Sequence, residues 1–125
     1  MGVTGVPDNA LFVCSGCMSN VGTLTVVAGL EALKRSEPGK AGIFCLAGLA
    51  TEAPTVIEKT KAAKYIVTVD GCPLNCARKL VERSGYTPDR SIMLVTDADI
   101  KKQSGIRYEE DEFERAVQAI MKVIE

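Results

Sequence analysis

Cysteine is the reactive residue type that stands out in this chain of 125 residues, which contains five cysteines but no histidine. Without histidine, every mechanism that needs an imidazole as a general base or a metal ligand is excluded. Two residues separate Cys14 from Cys17, and three separate Cys72 from Cys76. Both spacings are typical of the half-sites of zinc sites. We therefore predict a transition-metal site, zinc first, whose candidate ligands are Cys14, Cys17, Cys45, Cys72 and Cys76.

The elements that must position these thiols alternate between strands and helices. Short runs rich in β-branched and aromatic residues predict the strands, and apolar residues at helical spacing predict the helices. The predicted strands are 11–13, 42–46, 65–69 and 91–95, and the predicted helices are 21–35, 54–63, 75–84 and 109–125. The segment 97–108 shows neither pattern.

The order of these elements indicates an α/β fold. No hairpin dipeptide joins the predicted strands, which favours parallel strands connected by helices that cover both faces of the sheet. We predict one domain over residues 1–125, with three α/β/α layers and a mostly parallel sheet of strand order 2-1-3-4, the flavodoxin or Rossmann-like arrangement. In that order the cysteines follow strands whose carboxyl ends lie side by side across roughly 10 Å. This edge of the sheet is where α/β proteins bind ligands.

Small and polar residues next to the cysteines are expected to shape the site. We expect Gly16 and Gly71 in tight turns with positive φ, which would fold the thiols inward. Ser19 or Asn20 can cap the helix that follows Cys17, and Asp70 can accept hydrogen bonds from the turn that it opens. Free N–H groups at the starts of the helices would stabilise thiolates.

Charge and hydropathy argue against two classes of partner. Fifteen Lys and Arg against sixteen Asp and Glu leave a formal net charge of -1, without the basic excess that nucleic acid attracts. No apolar stretch reaches the roughly 18 residues that span a bilayer, so we expect no membrane partner. Residues 1–6 lack the features of a secretion signal, and we predict a cytoplasmic protein. In that compartment, clustered cysteines favour a metal ion or catalysis over disulfides.

Three blocks of the sequence resemble the DGC-domain family, which is named for its Asp-Gly-Cys tripeptide. They are Val69–Lys79, Cys14–Gly16 together with Ser19–Thr25, and Cys45–Gly48, and the resemblance extends from about Leu11 to Val95. It implies zinc binding and four recurrent cysteines, Cys14, Cys45, Cys72 and Cys76. It implies no established reaction. From the residues themselves, four thiolates without an open position predict a structural or sensed ion, and a labile ligand predicts Lewis-acid chemistry or metal handling. The chain departs from the family pattern at Cys17 and Met18, so a fifth thiol competes for the ion.

Other readings of the cysteines stay open from the sequence alone, and so does the question of whether the protein is an enzyme. Cys72 to Arg78 fits C-x5-R, the oxyanion loop of low-molecular-weight tyrosine phosphatases and arsenate reductases. Pro73 argues against that loop, because it removes one of the N–H donors needed to bind the anion. Cys14 and Cys17 also fit a redox dithiol or a persulfide carrier. An iron–sulfur cluster is the alternative to zinc, since cysteines hold either.

Overall fold

Strands and helices alternate along the chain in a computed structural model that describes residues 5–124. The strands are β1 (Asn9–Val13), β2 (Ala41–Ile43), β3 (Tyr65–Asp70) and β4 (Arg90–Met93). The helices are α1 (Asn20–Arg35), α2 (Leu46–Ala50), α3 (Pro54–Ala62), α4 (Cys76–Arg83), α5 (Leu94–Asp97) and α6 (Glu110–Val123). Residues 1–4 and Glu125, the predicted end of the last helix, lie outside the described residues.

The four strands form one sheet in the order β2-β1-β3-β4, and every pairing is parallel. This confirms the predicted strand order. The two central strands pair from Asn9 opposite Tyr65 to Val13 opposite Val69. Cys14 continues that ladder, since its N–H donates to the carbonyl of Val69 at 3.1 Å. The loops after β1 and β3 therefore start at the same level of the sheet edge.

Helices cover both faces of this sheet, which gives the predicted three layers. Alternate residues of a strand point to opposite faces, and β1 shows the pattern clearly. Leu11 and Val13 pack in the core cluster that contains α1 and α6 residues, whereas Ala10 and Phe12 pack with Leu49 of α2 and with Val81 of α4. Because both faces are covered, all five residues of β1 are buried.

Two strands end earlier than predicted, because side chains cap the helices that follow them. β2 ends at Ile43 rather than at residue 46, and α2 begins directly after Cys45, whose Sγ accepts the N–H of Gly48 at 3.2 Å. Gly48 therefore lies in a helix and not in a loop. β4 likewise ends at Met93, whose N–H donates to the carboxylate of Asp97 at 2.7 Å, and α5 starts at the next residue.

Helix termini carry capping residues, and the predicted cap at Ser19 is among them. Ser19 Oγ accepts the N–H of Gly22 at 3.1 Å and caps α1. Gly85 adopts φ +95° directly after the C-terminus of α4, as expected of a left-handed cap. Glu112 accepts the N–H of Glu109 at 2.8 Å at the start of α6. Within residues 5–124, none of the helices has both the length and the apolar character needed to cross a bilayer.

Candidate functional site

Three of the five cysteines line one cavity at the carboxyl edge of the sheet. This cavity, called the thiol cavity below, has a volume of about 530 Å³ and is lined by Cys14, Cys72 and Cys76. Cys14 comes from the loop after β1, and Cys72 comes from the loop after β3. Cys76 is the first residue of α4. Parallel pairing of β1 with β3 thus brings together thiols that lie far apart in the sequence.

The other two cysteines have different surroundings. Cys45 lines a separate cavity of about 320 Å³ beside β2, together with Phe44 and Val56. Its sulfur is already engaged as the cap of α2. Cys17 is exposed to solvent and, in the described chain, belongs to the lining of neither cavity. The edge of the sheet therefore divides the predicted ligands into a group of three and two separate thiols.

The thiols of the cavity do not converge on a point in this conformation. Within residues 5–124, no three cysteine, aspartate or glutamate side chains stand close enough to share a metal ion. A cysteine side chain has three staggered positions about its Cα–Cβ bond, and each moves the sulfur. Closing three thiols onto one ion therefore requires rotation of side chains that already face the same space. That all five cysteines, or four of them, bind one ion stays a prediction.

The loop that carries Cys14 is fastened to α1 by Thr25. Thr25 Oγ1 accepts the N–H of Ser15 at 3.1 Å and donates to the carbonyl of Gly22 at 2.7 Å. The same oxygen lies 3.8 Å from Cys14 Sγ. Ser15, and not the predicted Gly16, adopts the left-handed backbone in this loop, with φ +56°. Its conformation is supported by the N–H bond to Thr25.

Close approach of backbones, rather than positive φ, explains two glycines of the site. A methyl group added at Gly71 would lie 2.7 Å from the carbonyl carbon of Val21. A methyl group added at Gly22 would lie 1.9 Å from the carbonyl oxygen of Gly16. The expectation of positive φ at Gly71 was wrong, because the glycines with positive φ among the described residues are elsewhere. These contacts hold the loops after β1 and β3 against the start of α1.

Asp70 caps α4 from the end of β3. Its side chain is buried, and its two carboxylate oxygens accept the N–H groups of Ala77 at 2.7 Å and Arg78 at 3.0 Å. Burial raises the pKa of the Asp70 carboxyl, and the two backbone hydrogen bonds oppose part of that rise. Asp70 therefore anchors the helix that begins at Cys76, rather than only closing its own turn.

The arrangement of α4 argues against an oxyanion loop of the C-x5-R type. Such a loop needs free N–H groups at the start of the helix and an arginine turned toward the anion. Here the carboxylate of Asp70 already occupies the N–H groups of Ala77 and Arg78. The Arg78 guanidinium instead forms an exposed ion pair with Glu82 at 3.4 Å. An anion at this loop would therefore find neither these two N–H groups free nor the Arg78 guanidinium turned toward it.

A segment after α5, residues 101–104, closes one side of the thiol cavity and is called the strap below. Asn20, which is buried at the start of α1, donates from Nδ2 to the carbonyl of Lys101 at 2.9 Å and accepts the N–H of Gln103 at 2.6 Å. The Asn20 N–H also donates to the Gln103 carbonyl at 3.0 Å. Between these anchors, Lys102 Nζ lies 3.5 Å from Cys72 Sγ.

Sequence reasoning missed the strap because it lies in the segment 97–108, which has no periodic pattern. One signal was available in the sequence. Asn20 is expected as a cap first and as a ligand contact second, yet Ser19 alone supplies the cap of α1. An asparagine next to a sufficient cap is free to bond elsewhere, and here it binds the strap and so positions Lys102.

Comparison with known proteins gives two matches. The model of the family described as DGC domain matches residues 10–120 and so covers all five cysteines. A protein of Pseudomonas aeruginosa named anaerobic and virulence modulator AnvM is 31% identical over 112 residues, which are 87% of this chain and 82% of that protein. No solved structure matches the chain.

Proposed function

We propose that this chain, which belongs to the DGC domain family, binds a thiophilic metal ion, zinc first, through Cys14, Cys72 and Cys76. The observation that carries the proposal is that these three thiols line one cavity although they come from separate parts of the chain. Sulfur donors favour zinc, copper(I) and iron–sulfur clusters over hard cations. Three thiols suit zinc better than an iron–sulfur cluster, which is held by four cysteines.

Charge in the thiol cavity supports a site made of thiolates. Three thiolates around Zn²⁺ carry a net charge of minus one. Lys102 lines the cavity, and none of the described lining residues is an aspartate or a glutamate. One lysine therefore offsets the residual negative charge, and no carboxylate adds to it. Bound zinc would act as a Lewis acid, since three protein ligands leave one position open to a further ligand.

The proposed set omits two of the predicted ligands for physical reasons. Cys45 Sγ accepts the N–H of Gly48 at 3.2 Å and lines the other cavity, so we assign it to capping α2. Cys17 is exposed and does not line the thiol cavity. A site with three ligands suits reversible binding, as in metal sensing or handling, better than a closed structural site with four.

A sensing role is also in keeping with the relative from Pseudomonas aeruginosa, whose name describes a modulator. We extend that regulatory character to this chain only as a proposal. A cytoplasmic location belongs to the same proposal, because five free cysteines are maintained in a reducing compartment. The metal ion is the partner that we propose, and we propose neither a nucleic acid nor a membrane.

Elemental analysis of the full chain, purified without added metal, tests the proposal. We expect about one zinc ion per chain, lost on treatment with a strong chelator and restored by adding zinc. Competition against a chromogenic chelator then gives the affinity. A folded preparation that contains no metal and cannot be loaded with zinc, copper or iron would contradict the proposal. Circular dichroism of the same sample establishes that it is folded.

A further inference from the structure

The thiol cavity is much larger than a metal ion requires. Its volume of about 530 Å³ far exceeds the roughly 30 Å³ of one water molecule. We propose that, in the absence of metal, the cavity receives a small anionic electrophile whose negative group pairs with Lys102 and whose reactive carbon meets Cys72. This activity needs only Cys72 and Lys102, and it does not depend on zinc binding.

The position of Lys102 gives the cavity its preference for an anion. Lys102 Nζ lies 3.5 Å from Cys72 Sγ, so a group bound by the ammonium is already next to the sulfur. None of the described lining residues carries a carboxylate that would repel the anion or neutralise the lysine. A molecule with a carboxylate one or two bonds from its reactive carbon would reach both groups.

The rest of the lining suits a short carbon skeleton. Leu74 contributes an apolar wall, and Met18 lies at the rim with 91% of its surface exposed. Leu74 is also 58% exposed. Exposed apolar side chains at the mouth of a cavity favour a ligand with an apolar part over a fully hydrated ion.

Hydrogen bonds to the residues on either side of Lys102 hold its backbone in place. Asn20 binds the backbone on both sides of Lys102, at Lys101 and at Gln103. A bridge between Ser19 and Ser104 extends the same contact. The backbone of Lys102 is therefore fixed relative to the start of α1. A fixed backbone limits the entropy that the lysine loses on binding an anion.

The chemical step is a substitution at carbon, for which iodoacetate is the probe. The Cys72 thiol gives its proton to solvent, and the sulfur attacks the methylene carbon. A carbon–sulfur bond forms as the carbon–iodine bond breaks, and iodide leaves with the electron pair. No oxidant or reductant takes part. Iodoacetamide performs the same substitution without the negative charge.

The test compares the two reagents at Cys72 of the full chain, kept metal-free by a chelator. Rates at each cysteine come from mass spectrometry of peptides. Both reagents react with the same ionised thiol. The ratio of the iodoacetate rate to the iodoacetamide rate is therefore independent of the ionised fraction of Cys72 and of the accessibility of its sulfur. We expect Lys102→Gln to lower this ratio about fivefold, the factor that one charge pair about 4 Å apart in water gives.

Two variants serve as matched controls. Lys101→Gln makes the same change of charge one residue along the strap, but Lys101 does not line the cavity, so the ratio should stay at its wild-type value. Lys102→Arg keeps the charge and should keep the ratio. An unchanged ratio in Lys102→Gln, or an equal fall in Lys101→Gln, would overturn the proposal. Absence of zinc from the purified protein would defeat the metal site but would not alter this result.

Discussion

One cysteine-lined cavity lies at the carboxyl edge of the sheet and another lies beside β2, and the two differ in how the chain leaves the neighbouring strand. After β1 and β3 come loops, which approach each other at the start of α1 and bring Cys14 and Cys72 to one space. After β2 the chain enters α2 almost at once, and Cys45 becomes the residue that caps that helix. The first cavity collects thiols, and the second holds a single thiol.

The comparison shows that strand order brings residues to an edge but does not decide which of them meet. A cysteine follows the carboxyl end of each of β1, β2 and β3, and the parallel pairing brings these ends to one edge of the sheet. Local hydrogen bonds then select the destination of each thiol. Gly48 N–H directs Cys45 toward α2, whereas Thr25 fastens the loop of Cys14 beside the cavity.

Serine substitution of the cysteines should produce the largest difference between the two cavities. We expect Cys14→Ser, Cys72→Ser and Cys76→Ser each to weaken zinc binding more than about 100-fold. Loss of a residue that only hydrogen-bonds to a metal ligand lowers metal affinity about 10- to 100-fold, and loss of a ligand should lower it further. Cys45→Ser should stay within about threefold of wild type, since serine also caps a helix. Competition with a chelator of known affinity measures both. Equal losses for Cys45→Ser and Cys72→Ser would remove the distinction.

Close packing of the loops against α1 can be broken without touching a thiol. Gly22→Ala places a methyl group 1.9 Å from the carbonyl oxygen of Gly16, so backbone must move. We expect a loss of about 3 kcal/mol in the free energy of unfolding, measured with urea. Gly16→Ala is the control, because its added methyl group lies no closer than 3.9 Å to Cys14 Sγ and should cost less than about 0.5 kcal/mol. Similar costs for the two variants would contradict the packing described here.

Removal of the Asp70 carboxylate should destabilise the side of the thiol cavity that α4 forms. Asp70→Ala leaves the N–H groups of Ala77 and Arg78 without their acceptor, and we expect a cost of about 2 kcal/mol in the free energy of unfolding. Asp70→Asn keeps one acceptor oxygen and should cost less. Urea unfolding monitored by circular dichroism measures both. An asparagine variant as unstable as the alanine variant would show that the hydrogen bonds are not the cause.

A salt bridge away from both cavities should alter stability without altering metal binding, and its effect should be the smallest. Arg35 donates two hydrogen bonds to Glu114, at 2.7 and 2.9 Å, and joins α1 to α6. These hydrogen bonds lower the pKa of Glu114 to about 2 from an ordinary value of 4.5, with a further contribution from Gln118. A lowered pKa means that the stabilisation is fully present above pH 4.5 and is lost as the pH falls through about 2.

Glu114→Gln should therefore lower the Tm slightly at pH 6, and the difference from wild type should shrink as the pH falls through about 2. The effect is small because both side chains are exposed and screened by solvent. High salt should reduce it further. Zinc affinity should not change. A difference in Tm that is as large at pH 2 as at pH 6 would show that the charge of Glu114 is not responsible.

Much of the fold could be predicted because burial on both faces leaves a strong pattern in the strands. The runs at Leu11–Val13 and Tyr65–Val69 are almost wholly apolar or β-branched, as buried parallel strands require. The position of Cys14, Cys45 and Cys72 directly after such runs then placed them at one edge. Family membership was predicted from the blocks around these cysteines, and the match over residues 10–120 confirms it.

The finer parts of the site could not be predicted because they depend on hydrogen bonds between side chains and distant backbone. Asp70 caps a helix that starts six residues later, and Asn20 binds a strap from the other end of the chain. The residue type alone predicts neither the N–H groups that Asp70 binds nor the segment that Asn20 binds. Positive φ was predicted at Gly16 and Gly71, whereas Ser15 and Asn75 adopt it, and at Ser15 the N–H bond to Thr25 supports this conformation.

X-ray absorption at the zinc edge of the zinc-loaded protein tests most directly whether the three thiols of one cavity form the metal site. The number of sulfur atoms around zinc follows from the extended fine structure. We predict three sulfur ligands and one lighter atom, with zinc–sulfur distances of about 2.3 Å. Four sulfur ligands would mean that Cys45 or Cys17 joins the site, and zinc surrounded only by lighter atoms would mean that the cavity does not bind it.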